Sequence, residues 1–76
     1  MSESSADIES LDGLDTAILN NKGWHLVTQF RVRAGTDGSK AYNHAIDKVQ
    51  NHNRHAGIRT ITKDGVTYHE VWDLWK

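Results

Sequence analysis

Residues 24–33, WHLVTQFRVR, alternate between two sets of side chains. Trp24, Leu26, Thr28, Phe30 and Val32 share one parity; His25, Val27, Gln29, Arg31 and Arg33 share the other. A period of two places the sets on opposite faces of a β-strand. Residues 34–38 (AGTDG) break the strand with turn chemistry. The period then becomes helical over residues 39–55, where Tyr42, Ala45, Ile46 and Val49 form a stripe that Ala56 prolongs. Asp37 or Ser39 can cap the start of this helix, and Gly57 reads as its stop. Residues 58–63 and 66–75 alternate again on either side of Asp64-Gly65, a strong two-residue hairpin signal. Such a turn sets Lys63 opposite Val66, Ile61 opposite Tyr68 and Arg59 opposite Glu70 as a cross-strand ion pair. Ile61, Val66, Tyr68, Trp72 and Leu74 then crowd one face of the hairpin, while Ile58, Val71 and Trp75 fall on the other.

Upstream, Leu11, Leu14, Ile18 and Leu19 have helical spacing, with Ser10 as a cap and Gly23 as a stop. Gly13 opposes this helix, and a strand over 15–19 is the alternative. Residues 1–9 are polar and aperiodic and read as a disordered acidic leader before a single domain at 10–76. The predicted fold is α+β, a small two-layer domain in the order (α or β)-β-α-β-β. Its sheet has three strands, or four if residues 15–19 pair. The strands are antiparallel or mixed, and one main helix lies on one face.

Composition narrows the function. With 76 residues the chain holds one domain, and a core made from 37% hydrophobic residues leaves no room for a deep substrate pocket. A non-enzymatic protein without a cofactor is expected. Cysteine is absent, which excludes disulfides, Cys-based zinc sites and thiol nucleophiles. No apolar run is long enough to span a membrane, and residues 1–7 lack the features of a secretory signal. A cytoplasmic protein with no membrane partner is the expectation. In size, missing Cys and Pro and a tryptophan-rich tail, the chain is similar to small accessory proteins of bacteriophages. That likeness of composition carries no motif.

The net charge of −1 conceals a strong polarity. Residues 1–21 carry five acids and no Lys or Arg, residues 22–63 carry eight cations against two acids, and residues 64–76 are acidic again. A basic middle suggests a polyanion partner for which the acidic leader competes. Arg31, Arg33, Lys48, Arg54 and Arg59 are the candidate nucleic-acid contacts, with Lys40 on the same helix. The known signatures of RNA-binding sheets and helix-turn-helix domains are missing.

Other chemistry has weaker support. His52 and His55, spaced i, i+3 on the predicted helix, are a two-ligand seed where a metal site needs three or four, so no metal is expected. Glu70 is the one acid predicted beside aromatic residues, and Arg59 accounts for it as a structural partner. Residues 35–40 (GTDGSK) lack the spacing of a phosphate-binding loop. The strongest expectation concerns parity. Val27, Ile58, Val71 and Trp75 are left over once one face of the sheet is buried, which predicts an interaction module that binds another protein, or itself, through that face and the terminal strand. Nucleic-acid binding is the alternative.

Overall fold

The Asp64-Gly65 hairpin forms the centre of the structure. In the computed structural model, which describes residues 8–33 and 39–75, β3 (Arg54–Lys63) and β4 (Val66–Trp75) pair antiparallel across it. Asp64 and Gly65 have φ of 53° and 78°, the left-handed values that fit a two-residue turn to the strand twist. Lys63 pairs with Val66, Ile61 with Tyr68 and Arg59 with Glu70, the register the alternation predicts.

β2 (His25–Arg31) adds antiparallel to β4, and the short β1 (Ile8–Ser10) adds parallel to β3. The result is a four-stranded mixed sheet in the order β1-β3-β4-β2. One main helix, α2 (Ser39–His52), packs on it, so the α+β class is as expected. A one-turn helix, α1 (Thr16–Asn21), joins β1 to β2.

Helix, and not the alternative strand over 15–19, forms at Thr16–Asn21, and the fourth strand is instead Ile8–Ser10. Ile8 and Glu9 belong to β1, not to a leader, while residues 1–7 lie outside the described residues. Gly13 has φ 84°, which no helix accommodates. Helix α1 therefore starts only after Asp15, and Gly23 at φ 96° follows its end as expected. Asn53 at φ 54° stops α2 at His52, because Asn tolerates the left-handed conformation. Gly57 is thus not the helix stop but lies inside β3, where a Cβ would come 2.7 Å from Leu11 Cγ and Cδ1. Ala56, likewise, belongs to β3 and not to the helix.

β1, β2 and β3 run in one direction and β4 in the other. Helix α1 carries the chain from one sheet edge to the other across one face, and α2 brings it back across the opposite face. Reversing both direction and face leaves the two crossovers with the same hand. Each crossover seals a core. On the α1 face, Leu11, Leu19, Trp24 and Trp72 are buried, with Leu14 and Leu74 packed against them. On the α2 face, Ala41, Ala45, Ala56 and Val71 are buried, with Ile8, Val27, Phe30, Val49 and Ile58 around them. The buried stripe of α2 is Ala41-Ala45-Val49, and Tyr42, assigned to the core by spacing, is 39% exposed. Alanines at the contact let a helix approach a sheet closely.

Parity fails at one place. Val27 and Phe30 both pack on the α2 face although they stand three positions apart, an odd offset. A register shift between Leu26 and Thr28 permits this, since a bulge adds one residue and exchanges the faces beyond it. No helix among the described residues is long and apolar enough to cross a membrane.

Candidate polyanion-binding site

Two of the five candidate cations are spent on the fold. Arg59 is 7% exposed and Glu70 5%. Glu70 Oε1 accepts from Arg59 Nε at 2.7 Å and from Trp72 Nε1 at 3.0 Å, and Arg59 Nη2 lies 2.7 Å from the same oxygen. The guanidinium also donates to the Leu14 carbonyl at 2.8 Å and to Thr16 Oγ1 at 3.0 Å. Arg59 therefore clamps the entry of α1 onto the sheet, and Glu70 supplies the countercharge. Arg54 donates to Asp73 at 2.6 Å and lies 3.8 Å over the Trp75 ring. Asp73 is 2% exposed. Arg59 is satisfied by the protein and offers little to a ligand, while Arg54, whose buried Nε has no hydrogen-bond partner among the described residues, is held between Asp73 and the Trp75 ring.

The remaining cations fall into two places. Lys48 is half-buried on α2, next in sequence to Asp47. Arg31 and Arg33 come together with Lys40 of the α2 first turn. A cleft of about 290 Å³ is lined by Gln29, Phe30, Arg31, Arg33, Lys40, Ala41 and His69. It lies where the chain leaves β2 and α2 begins. Arg31 and Lys40 bracket the β2–α2 junction in sequence, and β4 brings His69 against Phe30 by pairing. Thr60 Oγ1 lies 2.8 Å from His69 Nδ1 and orients that ring. The Phe30 ring is 6.1 Å from that of His44, whose buried Nδ1 has no hydrogen-bond partner among the described residues. The described lining holds three cations, two rings and no carboxylate. Such a cleft can take phosphate oxygens and stack a planar group.

The four residues of the expected docking face do not lie together on an open surface. Val71 is fully buried, and Val27 and Ile58 pack with it under α2. Counting apolar residues correctly showed that one face could not bury them all. It did not show that the segment before β2 would cover the second face and free α2 for the first. Of the four residues only Trp75 stays exposed, at 64%.

The metal seed does not form either. His52 ends α2 and His55 lies in β3, so they do not share a helix, and no group of three candidate ligands occurs among the described residues. His52 instead sits 3.3 Å from Asp47. A 2.6 Å hydrogen bond from Asn51 holds the Asp47 carboxyl below its ordinary value. Slight desolvation opposes this, and the charge and hydrogen bond of His52 add to it. Residues 35–38 of the glycine-rich segment lie outside the described residues.

No family model, curated protein or solved structure matches this chain. The functional reading therefore rests on the cleft.

Proposed function

We propose that this protein is a small, non-catalytic binding module that holds the phosphate backbone of a nucleic acid in the cleft between the end of β2 and the start of α2. The observation that carries the reading is the convergence of Arg31, Arg33 and Lys40 around Phe30 and His69, with no carboxylate in the described lining. The rival reading, a module that docks protein through a sheet face, keeps only Trp75, whose ring already carries Arg54 on one side. The other large exposed apolar residues, Ile18, Leu26 and Tyr42, belong to three further elements.

The test is titration of the full chain against a fluorescently labelled oligonucleotide by anisotropy, across a range of salt. Three phosphate contacts give a log–log salt slope of about −2 to −3, a loss of roughly 20- to 60-fold between 50 and 200 mM salt. Replacing Arg31 and Arg33 together with Gln should flatten the slope to about −1. Replacing Lys48 with Gln should leave it nearly unchanged. Binding that ignores salt, or that survives the double replacement at full strength, refutes the assignment.

A further inference from the structure

The face of the sheet opposite α2 is sealed only in part. Its buried cluster runs from Leu11 to Trp72 and reaches the Arg59–Glu70 row, where the Leu14 carbonyl and Thr16 hydroxyl close over the guanidinium. The next row belongs to neither buried cluster. Register sets Arg31, Tyr68 and Ile61 side by side across β2, β4 and β3, so the three share one face. Tyr68 and Ile61 are half-buried and Arg31 is exposed. One row further on, Val66 pairs with Lys63. The hydrogen bond from Val32 N to the Thr67 carbonyl, 2.8 Å, carries the β2–β4 pairing on to Val32, with Arg33 next in the chain. A phenol ring thus lies beside Arg31, with Lys63 at the next row. Asp64, held in the hairpin turn, is the one acid between residues 61 and 67.

β2 is the edge strand, and Arg31 both lines the cleft and stands beside Tyr68. A strand of phosphates gripped at Arg31 and Arg33 therefore has Phe30 and His69 on one side of the edge and Tyr68 on the other. A duplex cannot use that arrangement, because its bases are already stacked on one another. Asn43, Asp47, Gln50 and Asn51 on the outer side of α2 include an acid and no Lys or Arg, and the exposed Lys40 lies in the first turn at the cleft, so α2 does not present the run of cations expected of a helix laid in a major groove.

We infer that the nucleic acid is single-stranded and that Tyr68 is the platform on which one of its bases stacks while Arg31 holds the adjoining phosphate. This deepens the polyanion reading and rests on it. The experiment compares three labelled probes on the full chain by anisotropy: an oligothymidylate, an abasic strand of the same length, and a duplex. The Tyr68→Leu variant keeps an apolar side chain on the sheet, and Tyr68→Phe keeps the ring. Stacking on one aromatic side chain corresponds to roughly 5- to 150-fold in affinity. Wild type should therefore prefer oligothymidylate to the abasic strand by that factor. Tyr68→Leu should erase the preference without changing abasic affinity, and Tyr68→Phe should retain it. Equal binding of base-bearing and abasic strands, or tighter binding of the duplex, overturns the stacking inference while leaving the phosphate cleft standing. Failure of all three probes to bind overturns both.

Discussion

Replacing Gly57 with Ala should destabilise this domain, although backbone entropy alone argues for the opposite sign. Gly57 lies within β3 and its φ is outside the left-handed region, so Ala can adopt the same backbone. On that ground the change should stabilise by about 0.4–1 kcal/mol through the unfolded chain. The new methyl group, however, would lie 2.7 Å from both Cγ and Cδ1 of Leu11. Cγ is the branch point of the side chain, and a rotamer change moves the tips without freeing the branch. The main chain cannot retreat easily, because Leu11 N donates to the Ile58 carbonyl at 2.9 Å and Leu11 is 2% exposed. Overpacking of this kind costs about 1–3 kcal/mol, so the net effect is a loss of up to roughly 2.6 kcal/mol. For a domain of this size that lowers the melting midpoint by about 4–8 °C per kcal/mol. The decisive measurement is a double-mutant cycle by urea denaturation with Leu11→Ala, which alone should cost about 2–5 kcal/mol. In the Leu11→Ala background the same glycine replacement should be neutral or stabilising. A stabilising effect in the wild-type background, or strict additivity in the cycle, would refute the packing argument.

The remaining predictions address the buried charges, the turn and the helix end. Arg59→Met should cost about 3–5 kcal/mol by leaving Glu70 buried without its partner. Arg59→Met combined with Glu70→Leu should recover part of that loss in the same denaturation assay. Gly65→Ala, at φ 78°, should cost about 1–2 kcal/mol without reducing affinity for oligonucleotide, since the turn lies beyond the cleft lining. Asp47 titrates below its ordinary value, so its stabilising contribution is present above the unfolded-state value and disappears as pH falls through the folded one. Asn51→Ala removes the leading cause, and NMR titration of the Asp47 carboxyl should then show a higher midpoint. An unchanged midpoint would count against the Asn51 hydrogen bond as the cause.

Much of the sheet was legible in the residues themselves. Alternation about Asp64-Gly65 predicted the hairpin and its register, because a two-residue turn leaves only one way to pair the flanking residues. The Arg59–Glu70 partnership followed from that register. Helical periodicity located α2, and Ala45 and Val49 of its expected stripe do face the sheet. Ala41, too small to stand out in a hydrophobicity pattern, takes the place expected for Tyr42. The bulge after Leu26 was silent in the pattern, since alternation carries no mark where one residue is inserted. Of the candidate site, Arg31 and Arg33 were legible as cations on a strand. Lys40 was visible without a partner, and His69 had no reason to join them until β4 paired with β2.

Local chemistry determined what this chain could decide within a few residues: the turn, the strand faces, the helix and the class of fold. Which surface each element covers was decided by long-range packing. The residues before β2 close one face, α2 closes the other, and a side chain's parity cannot say which element will meet it. The same long-range contacts bury Arg59 and leave Arg31 exposed at an edge, although the two are chemically identical in sequence. Burial and charge pairing depend on the neighbours the whole fold supplies, so only the assembled sheet separates a structural cation from one able to meet a ligand.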